Sequence, residues 1–244
     1  MRHGHRVAAV LLALMCITAC ATAQDDVEYR WEIGAGVGAT TYYGDFNSSV
    51  VKNLQPAGEV ILRKVINPYS AVRIAGMYTK AKGSYKDVST HYPALEDAGY
   101  EFSNSIGDLS VTYEYNFWAY GTGKDYRGAK RVAPFISLGI GLTYANCKNG
   151  MTDYSASESA SSSTSAVTAS IPVGFGVKYR IKDRLNLSLD WQMHFTMSDQ
   201  LDGVKDPYYV TSSGIFKNTD CFSTLTLALT YSFSAKCPTC MRDR

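Results

Sequence analysis

Hydrophobic and polar residues alternate with a period of two along several stretches of the chain, most clearly near its C-terminus. In residues 224–233 the large apolar side chains fall on odd positions, and threonine, alanine and serine fall on even positions. Residues 185–198 repeat this alternation. Successive side chains of a β-strand point to opposite faces, so both stretches predict strands. Each run is longer than an ordinary strand of about five or six residues and is long enough for a tilted membrane strand of about 9–11 residues.

The same alternation predicts six further strands, which gives eight in all. The connections after strands one, three, five and seven are long, and those after strands two and six are very short. Long outer loops and short periplasmic turns are typical of membrane barrels, so the termini are expected in the periplasm. The connection over 119–133 is the exception, because it is the one long connection on the inner side. The six further segments are 29–43, 57–66, 70–82, 104–118, 134–146 and 166–181.

Alternation by itself does not say whether the apolar face points inward, as in a soluble β-sandwich or lipocalin-like barrel, or outward into lipid. Strand length, a glycine-rich polar face and aromatic residues near the strand ends favour lipid. The predicted fold is therefore an all-β, eight-stranded antiparallel transmembrane β-barrel with a filled lumen. Charges on the lumenal face should pair there, since an unpaired buried charge is costly. The charges expected to form this network are Glu32, Arg73, Glu114, Arg180 and Asp190.

The N-terminus has the pattern of an export signal. Basic residues precede an apolar run over 7–15, and Ala21-Thr22-Ala23 provides the small residues of a cleavage site. This predicts a signal peptide at 1–23, an outer-membrane barrel at 24–234 and a periplasmic tail at 235–244. The alternative is a lipobox ending at Cys20, which would make that cysteine a lipidated first residue. Both interpretations send the chain across the inner membrane.

Composition and motifs exclude several function classes. The net charge of +2 gives no basis for nucleic-acid binding. No phosphate-binding glycine loop occurs in a strand-to-helix context, and neither a cofactor nor a metal site is predicted. His194, Thr196 and Ser198 share one strand face, which could suggest a nucleophile and base. Their predicted position in the lumen favours a hydrogen-bond network, so the chain is expected not to be an enzyme and to have no small-molecule substrate.

The cysteines outside the signal segment suggest two possible cross-links. Cys237 and Cys240 form a C-x-x-C motif in the predicted tail, and a disulfide is permitted in the oxidising periplasm. This pair remains open between a local disulfide, an intermolecular disulfide to a partner, and a redox or metal role. Cys147 and Cys221 fall near the outer ends of strands five and eight, so a loop disulfide between them is also possible.

Basic residues are concentrated in the long inner connection. Lys124, Arg127, Lys130 and Arg131 lie close together, with Asp125 as the one acid among them. Such a run is either a solvated turn or a docking surface for an acidic periplasmic partner.

Three stretches carry a resemblance to a known family. Residues 41–46 read TYYGDF, residues 108–123 contain DLS followed by EYNFWAYGTG, and residues 131–141 read RVAPFISLGIG. In these stretches the chain resembles PorG-like outer-membrane proteins of the Bacteroidetes type IX secretion system. The resemblance implies a non-enzymatic barrel component of a protein secretion machine, held in outer-membrane lipid. It also implies partners: a periplasmic ring built from a lipoprotein and its soluble companion.

Two other functions remain possible from the sequence. One is an enzyme that modifies outer-membrane lipid, and the other is a generic small barrel with a structural or adhesin role. An enzyme requires an acid, a base and a nucleophile that converge on one face, and the sequence offers no convincing set.

Overall fold

Eight long strands make up almost all of the described structure. The structure is a computed structural model, and it describes residues 29–43, 53–84, 101–121, 129–146, 149–150, 165–197 and 221–235. The predicted signal segment, most of the four long connections predicted on the outer side, residues 122–128 and the tail beyond Ala235 lie outside these residues. The strands are β1 (Tyr29–Tyr43), β2 (Gln55–Asn67), β3 (Ser70–Ser84), β4 (Glu101–Asn116), β5 (Val132–Asn146), β6 (Ser165–Arg180), β7 (Leu185–Thr196) and β8 (Cys221–Ala235).

Every strand pairs antiparallel with its neighbours in the chain, and the first strand also pairs with the last. The β1–β8 seam runs from Tyr29 opposite Ala235 to Tyr43 opposite Cys221. The β3–β4 pair is equally long and joins the two halves of the sheet. A two-residue strand segment, Asn149–Gly150, pairs antiparallel with Glu101 and Phe102 at the start of β4. The sheet is therefore closed, which confirms the predicted eight-stranded antiparallel barrel and leaves none of the eight strands as an open edge.

Along each strand, the large apolar side chains of the alternating pattern point outward and the polar ones point into the lumen. Along β8, Leu225, Leu227 and Leu229 are 46–48% exposed, whereas Thr226 and Ala228 between them are buried. The same division holds around the barrel, where large apolar side chains are exposed and the buried set is dominated by polar and charged residues. A soluble barrel has the opposite arrangement, so the apolar belt is a surface for lipid.

Glycines on the lumenal face leave room inside the barrel for these large polar side chains. A Cβ on Gly139 would lie 2.1 Å from the carbonyl oxygen of Val111. A Cβ on Gly36 would lie 2.8 Å from Oε1 of Glu59. At both positions the absence of a side chain is what allows the close approach.

The turn end of the barrel, where residues 67–70, 116–132 and 180–185 connect the strands, is held by specific bonds. β4 ends at Asn116 and not at residue 118 as predicted, because Asn116 bonds to the β2–β3 turn. Its backbone N–H donates to the carbonyl of Tyr69 (2.7 Å), and its side-chain amide donates to the carbonyl of Pro68 (3.0 Å). Among the residues that the structure describes, there is no helix long and apolar enough to cross a membrane.

Candidate lumenal network and turn-end surface

Glu114 is the centre of a buried ion-pair network inside the barrel. Its Oε2 accepts from Nζ of Lys178 at 2.5 Å and lies 2.8 Å from Nε of Arg63. Arg63 reaches across to Glu32, with Nη1 2.7 Å from Oε2. Lys178 also donates to Oδ1 of Asn116 at 2.9 Å. Four strands, β1, β2, β4 and β6, are thus joined through one cluster of charges that has no access to solvent.

A second cluster lies further from the turn end and is organised by Arg73 on β3. Its Nη2 donates to Oε2 of Glu59 at 2.9 Å, and its Nη1 contacts the carboxylate of Asp190. Nη1 also lies 3.9 Å from Oε1 of Glu114, which connects this cluster to the first. Gln192 donates to the same Asp190 oxygen at 2.9 Å. Arg73 therefore bridges carboxylates from three strands.

Asp108 and His194 form a third cluster nearer the loop end. His194 Nδ1 lies 3.6 Å from Asp108 Oδ1, and Thr143 donates to Oδ2 of Asp108 at 2.8 Å. Ser170 adds a longer bond to the same oxygen at 3.3 Å. The imidazole stacks on the ring of Phe222, with centroids 4.4 Å apart. An acid, a base and two hydroxyls therefore meet here, but inside the barrel, where His194 is only 2% exposed.

The three clusters differ in their charge balance. The cluster around Glu114 matches its two carboxylates with Arg63 and Lys178, whereas Arg73 alone serves both Glu59 and Asp190. Nearer the loop end, Asp108 has only the imidazole of His194 beside it. One oxygen on each of Glu59, Asp108 and Asp190 is buried without a hydrogen-bond partner. Within the described ranges, no group of three or more metal-ligating side chains is close enough to hold a metal ion. The three clusters together form a set of protein ion pairs inside the barrel.

Tyr120, in the described first part of the β4–β5 connection, packs over the lumenal charges at the turn end. Tyr120 is fully buried, its backbone N–H donates to the carbonyl of Pro68 (2.9 Å), and its ring lies 5.4 Å from Nζ of Lys178. Burial raises the pKa of the Tyr120 phenol, and the nearby Glu32 carboxylate raises it further. Arg180 Nη1 donates to the carbonyl of Gly121 at 2.9 Å. The beginning of this connection is therefore fixed to the barrel and is not a freely solvated turn.

Cations and aromatic side chains meet repeatedly at the turn end of the barrel. Nζ of Lys130 lies 4.6 Å from the ring centroid of Trp118, and Nζ of Lys64 lies 5.5 Å from that of Trp31. Arg184 donates to the hydroxyls of Tyr231 and Tyr29, at 3.2 and 3.0 Å, and these bonds raise the pKa of its guanidinium. A belt of aromatic and basic side chains is typical of a membrane interface.

The structure brings together four of the five charges expected in the lumen: Glu32, Arg73, Glu114 and Asp190. Arg180 instead lies half-buried at the turn end, and Lys178, two residues earlier on the same face, supplies the cation beside Glu114. Sequence reasoning missed Arg63, Glu59 and Lys178 as members of this network. Lys178 had a usable signal, because it shares its strand parity with Ser170, Gly174 and Gly176 on the glycine-rich face.

Several of the other predicted site residues lie outside the described residues: Lys124, Arg127, Cys147, Cys237 and Cys240. Cys221 is buried at the start of β8. Lys130 and Arg131 lie at the end of the β4–β5 connection. There, the N–H of Lys130 donates to the carbonyl of Ala119, and the carbonyl of Arg131 accepts from the N–H of Arg180. The basic residues on this side of the connection are therefore held at a defined place beside the barrel wall.

A closed barrel of eight antiparallel strands, with an apolar exterior and charges inside, is a small outer-membrane β-barrel. Residues 7–242 match the family model described as "Domain of unknown function (DUF6089)", and the chain belongs to that family.

Solved structures of bacterial outer-membrane proteins are similar to this chain at low sequence identity. Neisserial surface protein A (NspA) is 13% identical with a TM-score of 0.48, covering 83% of this chain and 97% of that one. A major outer membrane protein from Thermus thermophilus is 12% identical with a TM-score of 0.46, covering 83% and 99%. Ail of Yersinia pestis, solved with the heparin analogue sucrose octasulfate, is 11% identical with a TM-score of 0.44, covering 84% and 99%. None of the curated proteins compared with this chain matches it.

Proposed function

We propose that this barrel is a non-enzymatic outer-membrane component of a protein secretion machine of the type IX kind. In this proposal the termini and the turn end face the periplasm, and the barrel anchors a ring formed by a periplasmic lipoprotein and its companion. The β4–β5 connection is the main docking element, through Lys124, Arg127, Lys130 and Arg131. The resemblance to PorG-like proteins over residues 41–46 and 108–141 supplies the secretion role.

The observation that carries this proposal is the fixed base of the β4–β5 connection. Tyr120 is buried under the lumenal charges, Gly121 is held by Arg180, and Lys130 returns to bond with Ala119. A loop whose two ends are fixed presents its basic residues to a partner with a smaller loss of conformational entropy on binding. A solvated turn would not need such anchoring.

Two further features support an interaction role over catalysis. The Asp108–His194 pair lies within the closed wall, where a lipid substrate cannot reach it. The described lumen is occupied by buried charged side chains, which does not suit a passive pore. β8 ends at Ala235, opposite Tyr29, at the same end of the barrel as the β4–β5 connection, and Cys237 and Cys240 follow within five residues in the sequence.

The docking role is tested by replacing Lys124, Arg127, Lys130 and Arg131 with glutamine and measuring export together with co-purification of the periplasmic lipoprotein, identified by mass spectrometry. Both should fall at least about tenfold, because complementary charges set association rate and register. A control replaces Lys205 and Lys217, in the long connection between β7 and β8, with glutamine. Normal export and lipoprotein recovery in the fourfold variant, with the barrel correctly folded, would reject the docking element.

The tail is tested by changing Cys237 and Cys240 to serine. We expect barrel assembly to be unchanged, because both residues lie beyond the last paired strand. A disulfide closing so short a loop would also stabilise the fold little. Partner recovery should fall, because a tether raises the effective concentration of the partner. Non-reducing electrophoresis of native membranes detects a covalent link, and a double variant with normal partner recovery and export would exclude the tail from the interface.

A further inference from the structure

A groove of about 610 Å³ lies in the outer surface of β2, β3 and β4, towards the loop end of the barrel. Its floor is backbone at Gly58, Gly76 and Gly107, where an added Cβ would meet nothing within 4 Å. Its size falls within the range of about 300–1,000 Å³ that is usual for small-ligand sites. The barrel wall is therefore hollowed at this place, where most of its surface carries protruding apolar side chains.

Tyr78 stands in the middle of the groove. Its cross-strand partners are Gly58 on β2 and Gly107 on β4, so neither neighbouring strand places a side chain against the ring. The ring is 61% exposed. Leu109, Leu142 and Tyr144 form the wall on the β4–β5 side. An unbranched apolar chain laid between Tyr78 and this wall would gain contact with the glycine backbone that a flat wall does not offer.

Two lysines lie directly beyond the groove on the same outward face of β3. Lys80 and Lys82 are exposed and follow Tyr78 by two and four residues, or about 7 and 14 Å along a strand. They are the only outward-facing charged side chains at the loop end of the wall among those that the structure describes. Their paired residues on β4 are Ser105 and Ser103. Glu59 and Asp108 also border the groove, but their side chains are buried on the lumenal side. The outward side chains are thus apolar towards the middle of the barrel and cationic towards its rim.

We propose that this groove binds a phosphorylated glycolipid of the leaflet at the loop end. An acyl chain lies beside Tyr78 over the three glycines, and the phosphate of the headgroup pairs with Lys80 and Lys82. Lysines near an anionic lipid surface each add to binding, and their long stems reach the headgroup level from an apolar wall. The assignment to lipid A of the outer leaflet rests on the orientation in the proposed function, in which the loops face outward.

A second copy of the chain fits the groove less well. In a two-fold symmetric contact the same patch occurs on both partners, so the four lysines would be brought together. Like charges placed opposite one another in this way are destabilising. A lipid phosphate has the complementary charge, and the groove needs an occupant that is apolar at one end and anionic at the other.

The test uses the full folded barrel in detergent micelles, titrated with bisphosphorylated lipid A and followed by native mass spectrometry. K80Q/K82Q should weaken lipid A binding at least about tenfold, with little effect on a dephosphorylated form. G76L, which fills open space on the outer face, should weaken binding of both forms. The matched controls are K64Q/K182Q, which removes two cations at the turn end, and A35L, which enlarges the exposed Ala35 of β1; both should bind lipid A normally.

Several results would overturn this assignment. Unchanged affinity in both K80Q/K82Q and G76L, or an equal loss in the two controls, would mean that lipid covers the wall without a site. Equal affinity for phosphatidylglycerol would reject the glycolipid as the ligand. The experiment contains no periplasmic partner, so its failure leaves the docking of the turn end unaffected. The orientation is checked separately by labelling Ser165→Cys, in a background whose other cysteines are serine, with an impermeant maleimide on intact cells.

Discussion

The outer and inner faces of the same strands differ in polarity, because the outer face is apolar and the inner face carries the polar and charged side chains. On β8, Leu227 is 46% exposed and Thr226 beside it is 3% exposed, and the division recurs around the barrel. The inner face holds Arg63, Arg73 and Lys178 with the carboxylates that pair with them. A protein in water places its charges outside, so this reversal shows that the solvent of the outer face is lipid. The stability of the folded barrel therefore depends on the pairing of charges on its inner face.

The two faces also differ in how tightly the backbone is surrounded. Gly139 faces the lumen, and a Cβ there would lie 2.1 Å from a carbonyl oxygen of β4, which cannot move without disturbing the ladder. Gly76 faces outward, and a Cβ there would meet nothing within 4 Å. The lumen is therefore packed like a protein core, whereas the outer face leaves room that lipid can fill.

The largest expected effect comes from breaking the lumenal network at its centre. Glu114→Ala removes the carboxylate that pairs with Lys178 and Arg63. Loss of one partner of a buried ion pair costs about 3–5 kcal/mol, because the remaining charge is left buried and uncompensated. Urea unfolding in lipid vesicles measures this change in the free energy of unfolding. Tyr113→Ala, on the lipid-facing side of the same strand, is the control; an equal loss in both variants would remove the distinction between the faces.

A charge placed on the outer face should have the next largest effect. Leu227→Arg near the middle of β8 should destabilise the folded barrel by about 2–4 kcal/mol, because a cation at the bilayer midplane is costly. Thr226→Ser, which keeps a small hydroxyl in the lumen, should be nearly silent. Heat-dependent mobility on gels and recovery in the outer-membrane fraction measure assembly. Normal assembly of Leu227→Arg would place that face away from lipid.

The smallest expected effect distinguishes the packing of the two faces. Gly139→Ala should cost about 1–3 kcal/mol, since an extra methyl group in a filled interior forces the backbone to shift. Gly76→Ala should stay within about 0.5 kcal/mol, as is usual for a surface substitution away from tight packing. The same urea titration measures both variants. If the two alanine variants lose equal stability, the lumen is not packed as described.

Sequence alone predicted the fold well where the two faces of a strand differ clearly. In β7 and β8 every second residue is apolar, so both the strands and their orientation follow from the pattern. In β2 apolar residues occupy both faces, and Arg63 and Lys64 are adjacent, so parity alone does not decide which cation is buried. Structure shows that Arg63 is buried and that Lys64 lies over Trp31 on the outside. This ambiguity explains why Glu59 and Arg63 were missed in the network.

The turn end was the least predictable region, because its order depends on contacts between distant segments. Tyr120 lies in a stretch with the composition of a solvated turn, yet its side chain is buried and its backbone N–H donates to the carbonyl of Pro68 in the β2–β3 turn. The early end of β4 at Asn116 has the same origin. No local pattern encodes such long-range bonds, whereas period-two alternation is local and can be read directly.

The most direct test of the reversed faces is a scan of spin labels along β8. Single cysteines at residues 224–231, in a background whose other cysteines are serine, are labelled in lipid vesicles, and the collision rates with oxygen and with a water-soluble nickel complex are measured. We predict that oxygen accessibility oscillates with a period of two, with maxima at 225, 227, 229 and 231, and that the nickel complex reaches none of these positions near the middle of the strand. Maxima at the even positions, or nickel access at the odd ones, would contradict the account.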